Sequence, residues 1–348
     1  MREVAVIGFA QVDYPRSDDD EVEMISGVVA RAIAASGITK KQIGFTVSGS
    51  CDYLGGRPFS FVTALDAVGA WPPISESHVE MDGAWALYEA WVRLQHGDID
   101  AALVYAFGRT SQGDLGNVLA TQLDPYYLGP LWPDAVSLAA LQARAMIDAG
   151  VCSEKQMAEV ARARRGAGKG SGTAATTGGV DELLAAPYVA SPLRGHDCAA
   201  NTDGAAAMVL ATGDLARRVC QRPAFIRGID HRIEAHALGV RDLTRSTSTE
   251  LAAKKAGALG RRFDVAEIHA PYSHQEILIS RALGLGSDVA INPSGGAFGA
   301  NAYIVTGLAR IGTAASRILD GSAKSAVAHA TSGPCLQQNM VCVLGDER

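Results

Sequence analysis

The chain has 348 residues, 48% of them hydrophobic and 20% charged, with a net charge of −6. That length suits two packed domains or two fused halves, and the composition is that of an ordinary soluble globule. With no long basic run, the charge excludes nucleic acid as the main partner, because phosphate binding needs clustered Lys and Arg.

Val4 to Phe9 predicts a first strand, and Glu21 to Ser36 carries helical spacing that ends at Gly37, a C-cap residue. Ile43 to Ser48 is strand-like. A helix over 82–95 follows, and then DIDAALVYAF, whose continuous apolar run predicts a strand buried on both faces. Gly, Pro and aromatic residues interrupt the alternation over 108–200, with one strong helix around 136–149, before Ala205 to Leu210 returns to strand character. In the C-terminal part, Pro223–Arg227 and Val265–His269 read as strands, and Ser248–Leu259 and Ser273–Leu283 as helices. A long Ala-rich helix is predicted over 300–319, then strands at Ser325–Ala330 and Met340–Leu344.

Two pairs of segments look alike: ARAIAASGITKKQIGFTVSG with LAAKKAGALGRRFDVAEIHA, and GAWALYEAWVRLQHGDIDAALVYAF with NAYIVTGLARIGTAASRILDGSAKSAVAHA. In each, a helix ends in a polar turn and feeds a strand. This predicts a duplicated β/α unit, residues 1–216 and 217–348, with a loop insertion near 108–200 in the first copy. Helix N-termini of the two copies then face one cleft, where free N–H groups favour negative charge. The segments to inspect are 78–84 and 295–303.

Six cysteines without a CxxC or a His cluster predict neither a disulfide framework nor a zinc site, and fit a reducing cytoplasm. The N-terminus lacks a signal peptide's apolar core, and no apolar run is long enough to span a bilayer. The basic knot Arg162 to Lys169 reads as a solvated loop or as a phosphate contact for a nucleotide-bearing substrate.

Four stretches resemble the thiolase superfamily, in its sterol-carrier or lipid-transfer-protein branch. They are SPLRGHDCAANTDGAAAMVLA (191–211), EIHAPYSHQEI (267–277), INPSGGAFGANAYIVTGLARI (291–311) and HATSGPCLQQNMVCVL (329–344), in the family's order along nearly the whole chain. The resemblance implies an α/β thiolase-like fold of two duplicated halves in five layers. It also implies where catalytic groups sit. The family's nucleophilic Cys, three residues before the Gly that opens the first central helix, is here Glu80. Its second Cys falls near Ser332, with Cys335 three residues on. Its Gly-His-Pro becomes Ala300-Asn301-Ala302, and of its His motif only His269 remains. Thiolysis is therefore not the expected reaction.

Relatives of this branch without the Cys resemble retro-aldolases of steroid side-chain breakdown, in which a β-hydroxyacyl-CoA splits into a carbonyl compound and a shorter acyl-CoA. On that reading Tyr303 deprotonates the hydroxyl, and His269 and Asn301 hold the enolate oxygen. His236 or His231 stands in for the branch's other Tyr, and a tunnel opens beside Glu80. The alternatives are a silent acyl-CoA-binding subunit and an acetyl-CoA acetyltransferase using Cys335. The only cofactor implied is the CoA moiety of the substrate. A homodimer with the 108–135 loops over its neighbour, and a small OB-fold, zinc-ribbon partner, are further implications. Residue by residue, Asp82 reads as an N-cap and Glu80 as either substrate-contacting or a structural carboxylate paired with His78. His274 falls on a helix surface, and Cys198 and Cys335 read as packing groups. Trp85, Trp91 and the aromatic loop 124–132 read as core or dimer surface.

Overall fold

The computed structural model describes residues 1–69, 75–167 and 178–346. Lys169 of the basic knot lies outside them. The first half runs β1 (Val4–Tyr14), α1 (Glu21–Ser36), β2 (Phe45–Gly49), α2 (Asp52–Gly55), α3 (Val62–Val68), β3 (Glu76–Val79), α4 (Gly83–His96) and β4 (Ala101–Arg109). An excursion then carries α5 (Leu115–Thr121), α6 (Ala135–Asp148), α7 (Glu154–Ala167), α8 (Val180–Ala185) and a ribbon of β5 (Tyr188–Ala190) with β6 (Leu193–Arg194). It ends at β7 (Asp203–Thr212), and α9 (Gly213–Val219) follows. The second half runs β8 (Ala224–Ile233), α10 (Thr247–Lys255), β9 (Val265–Ile268), α11 (Ser273–Ala282), β10 (Ala290–Ile291), α12 (Thr306–Leu319), β11 (Ser325–Ser332) and β12 (Gln338–Gly345).

The strands lie in the order β3-β2-β4-β7-β1-β8-β12-β11-β9-β10. In the first half β2 is parallel to β3 and β4, while β7 is antiparallel to β4 and β1. The second half repeats this strand for strand: β9 is parallel to β10 and β11, and β12 is antiparallel to β11 and β8. The halves join where Ala5 pairs with Phe225 and Val6 with Ala224. The turn 333–337 of the second half occupies the place of the long excursion between β4 and β7.

Three apolar cores account for the layering. Ile25 and Val28 of α1 and Val68 of α3 cover the outer face of the first sheet half. Ala253 of α10 and Leu278 and Ile279 of α11 cover the outer face of the second. Between the halves lie Ala84 and Leu87 of α4 with Leu308 and Ile311 of α12. The continuous apolar run of β4 follows directly: Ala102, Val104 and Ala106 enter the central core, and Leu103, Tyr105 and Phe107 the outer one. Trp85 belongs to the central core, and the partly buried Trp91 packs against it.

Local chemistry sets the element ends. Asp20 and Glu23 form a capping box at α1, and Gly37 closes it at φ 75°. Three expectations need correction. The last long helix begins at Thr306 instead of 300; residues 300–305 form a turn tied to Thr202 through a bridge at Ala302. Arg162 to Arg165 lie on α7 instead of in a loop. There Arg164 pairs with buried Glu276 at 2.8 Å and Arg165 donates to the Cys198 carbonyl at 2.9 Å, so both are committed to internal contacts. His274 is fully buried under α6, 3.3 Å from Gln142 Oε1. Among the described residues no helix is long and apolar enough to cross a membrane.

Candidate functional site

Asp82 is the N-cap of α4, accepting from Ala84 N at 2.8 Å. The same carboxylate accepts from Gly307 N at 2.8 Å and Leu308 N at 3.0 Å, and so also caps α12. One side chain thus pins the N-termini of both central helices, and its burial pushes its pKa up to about 6 against the pull of three N–H donors. Gly307 permits this approach, since a Cβ there would lie 2.4 Å from Asp82 Oδ1. Gly83 N donates to Ile304 O at 2.9 Å, and Ile304 holds φ 61°, a strained value for a β-branched residue. The N–H groups expected to face substrate are therefore taken up by Asp82 and Ile304. Asp82→Asn would turn an NH₂ group toward the Gly307 N–H and should cost about 1–2 kcal/mol. A fall in the urea midpoint with an unchanged m-value would show it.

Beside this junction four side chains meet. Glu80, between β3 and α4, accepts from Asp52 N at 2.5 Å. Partial burial, then the charge of Asp52, raises its pKa above the ordinary carboxylate range. Cys51, at the carboxyl end of β2, is buried, and burial with a contribution from Glu80 pushes its thiol up to about 11. Gln122, just past α5, donates its Nε2 to Cys51 Sγ at 3.1 Å and accepts the Tyr303 hydroxyl on Oε1. Tyr303 lies in the turn before α12, not one turn inside the helix as the sequence suggests. Its carbonyl lies close against Gly108 of β4, where a Cβ would come within 2.3 Å of it. Burial, reinforced by Cys51, Asp82 and Glu80, drives its pKa upward. The cluster sits outside the carboxyl ends of parallel strands, the usual place for a site in such sheets.

The remaining sequence candidates lie elsewhere. His269 follows β9 and donates its backbone N–H to His329 O at 3.1 Å. Burial, with His329 and Arg310 nearby, pushes its pKa down to about 3, and its Nδ1 is buried without a partner. Among the described residues no hydrogen bond or ion pair joins it to the Tyr303 group. Asn301 is held to the 201–202 turn, its N–H donating to Thr202 Oγ1 at 3.1 Å and its amide to Asn201 Oδ1 at 3.5 Å. The expected oxyanion pair of His269 and Asn301 is therefore not drawn together by direct contacts. His236 pairs with Gln337 at 2.8 Å, and His231 sits edge-on to Tyr88 at 4.7 Å. Among the described residues neither has a hydrogen bond or ion pair with Tyr303. His78 stacks on Phe61 at 3.7 Å between ring centroids and acts on Glu80 through charge, with no salt bridge between the two among the described residues.

Ser332 ends β11, its backbone paired with Gln338. Cys335 is buried beside Leu128 and Leu138, donates to Leu138 O at 3.2 Å, and has its thiol pushed up to about 11 by burial. Here it packs as a small buried group, with its thiol held toward the protonated form. Cys335→Ala should cost about 1–2 kcal/mol in urea unfolding and leave turnover unchanged. Two small cavities, one walled by Val12 and Ala302 and one by Lys40 and Val68, do not include Tyr303 or Glu80, so the expected tunnel beside Glu80 is not among them. Among the described residues no group of three or more His, Cys, Asp or Glu gathers as metal ligands.

Two members of the cluster, Cys51 and Gln122, are absent from the sequence-based candidates. Cys51 had a signal, its place three residues past a predicted strand. Gln122 had none, because the excursion that carries it has no counterpart in the second half.

No protein-family model matches the chain. The chain is 30% identical over 139 residues to an acetyl-CoA acetyltransferase of Methanothermobacter thermautotrophicus, a stretch spanning 34% of this chain and 36% of that protein. In structure it is similar to the Ltp2-ChsH2(DUF35) aldolase, with a TM-score of 0.80 and 17% identity over 99% of this chain and 98% of that one. It is also similar to human mitochondrial 3-ketoacyl-CoA thiolase, with a TM-score of 0.79 and 14% identity over 100% and 99% of the two chains. These likenesses establish the thiolase fold, with its two duplicated halves.

Proposed function

We propose that this thiolase-fold protein cleaves a β-hydroxyacyl-CoA thioester by a retro-aldol reaction at the Glu80–Cys51–Gln122–Tyr303 cluster. The carrying observation is a carboxylate and a phenol, both shifted toward holding a proton, set around one thiol and one amide at the mouths of α4 and α12. Glu80, the group of the two that is ionised nearer neutral pH, takes the β-hydroxyl proton. The Cα–Cβ bond breaks, its electron pair passing into the thioester enolate as the β-carbon becomes a carbonyl. The Tyr303 phenol then protonates Cα, and a proton returns from Glu80 to the phenolate through water. This reverses the role the sequence suggests for Tyr303, because a phenol with a raised pKa is an acid and not a resting base. His269, which burial keeps neutral, donates a ring N–H to the enolate oxygen in this reading.

A steroid or other bulky lipid tail fits this reading as the substrate class. The exposed Tyr126, Tyr127, Leu131 and Trp132, a few residues beyond Gln122, offer a surface for a second copy of the chain or a small OB-fold partner. One similar structure is an aldolase of two named components, which favours the partner. The sequence relative favours a second reading, acyl transfer; the cysteine beside the site is then Cys51 and not Cys335. Product analysis by mass spectrometry separates them. A carbonyl compound plus a shorter acyl-CoA from a bulky β-hydroxyacyl-CoA supports cleavage. Acetyl-CoA from acetoacetyl-CoA and CoA, lost in Cys51→Ala, replaces it with acyl transfer. Binding of the thioester without turnover, with and without the partner, leaves a silent subunit.

A further inference from the structure

The acid role of Tyr303 meets an obstacle: its hydroxyl donates to Gln122 Oε1, so its proton is already engaged. A carboxamide that exchanges its two ends solves this. Turned over, Gln122 donates Nε2–H to the phenol oxygen and leaves the phenol hydrogen free to be given away. Its Oε1 then faces Cys51 Sγ, which at 3.1 Å accepts a hydrogen bond in the present arrangement. A protonated thiol serves both states, since it accepts through sulfur and donates through S–H. The turned amide also receives the negative charge left on the phenol, because an N–H donor to an ionised oxygen forms one of the stronger hydrogen bonds.

We infer that Gln122 is a positioning residue whose amide sets the direction of the Tyr303 proton, with the Cys51 thiol as the partner that lets the amide turn; the inference rests on the acid role proposed above. Among the described residues no other hydrogen-bond partner of the Tyr303 hydroxyl offers both orientations. Burial keeps the Cys51 thiol protonated, as the scheme requires. The charged and titratable groups around the phenol are Cys51, Glu80 and Asp82, and around Glu80 also Asp52 and His78. Gln122 belongs to the excursion, whereas Tyr303, Glu80 and Cys51 belong to the duplicated frame. The excursion thus supplies the group that tells the frame's acid when to release its proton.

The test needs no substrate. Difluorotyrosine placed at position 303 of the full chain brings the phenol titration into the pH range where the protein is folded, and absorbance reads its pKa. Gln122→Met, of similar length and without a donor, should raise that pKa by about one to two units. Gln122→Glu, an acceptor only, should raise it further. Cys51→Ser keeps a group that donates and accepts and should leave the pKa unchanged, while Cys51→Ala should raise it. An unchanged titration in Gln122→Met, with circular dichroism matching the parent, overturns the inference. So does a Cys51→Ser shift as large as that of Cys51→Ala, a comparison that stands even where the Gln122 variants fail to fold. Absence of cleavage activity refutes the proposed reaction but does not touch this titration.

Discussion

Tyr303→Phe should lower the rate of β-hydroxyacyl-CoA cleavage by about 10²–10⁴-fold, the usual span for loss of a general acid. The change removes one hydroxyl from a half-buried ring, so the fold should tolerate it and thioester affinity should hold. The loss belongs in kcat. Glu80→Gln should cost a similar factor by a different route: it keeps an oxygen to accept from Asp52 N but cannot take a proton. The pH profile distinguishes the two. Glu80 must be ionised to act as base, and partial burial with the neighbouring Asp52 raises its pKa, so the acid limb should lie above the ordinary carboxylate range. Tyr303 must be protonated, and its upward shift moves the alkaline limb beyond ordinary tyrosine titration. Glu80→Gln should flatten the acid limb, and Tyr303→Phe should leave it in place. Because the two groups act in one proton circuit, the double variant should be little worse than either single one. Full activity in Tyr303→Phe would remove the phenol from the reaction; full activity in Glu80→Gln would return the base role to another group.

The duplicated frame was legible because each half writes the same local grammar: a helix, a polar turn and an apolar strand in two copies. The run of β4 announced its two-sided burial, and Gly37 announced the end of α1. What stayed hidden depends on contacts across long stretches of chain. The stretch before Thr306 mixes Ala300 and Ala302 with weaker helix formers, and the helix starts where Asp82, from the other half, reaches the Gly307 and Leu308 N–H groups. His274 looks like a surface residue in SHQE until Gln142 of the excursion covers it. Glu80 follows from the family resemblance, which marks the position three residues before Gly83. Cys51 and Gln122 come together only when the excursion folds over β2, and no periodicity encodes that.

Stability should fall steeply as the pH drops below about 6.5, the ordinary histidine value. His269, His274 and His329 are buried, and burial pushes their pKa values down to about 3, about 3 and about 4. The sign is fixed by linkage. These groups stay neutral when folded, so the unfolded chain binds protons first, and the stability they contribute is present above 6.5 and lost as pH falls toward 4. Three such groups together cost about 4 kcal/mol per pH unit at full effect, since one unit is about 1.4 kcal/mol per proton. Asp82 acts in the opposite sense. Its pKa is raised to about 6, so it returns about 1.4 kcal/mol per unit, but only between about 6 and its unfolded value near 4. Glu276, raised by burial beside Arg164, also opposes the histidines. His196, also lowered by burial, makes four histidines against the raised carboxylates of Glu80, Asp82 and Glu276, and the histidines begin titrating first, so the loss wins. For a domain held by about 5–15 kcal/mol, most of the margin should be gone by about pH 4.5. Urea midpoints measured from pH 7 downward should drop accordingly, and His274→Gln, which can still pair with Gln142, should remove about a third of the slope. A flat midpoint between pH 6.5 and 5 would mean that none of these rings keeps its lowered pKa in the fold, and a charged His269 would also be a different donor to the enolate than the neutral one the reaction uses.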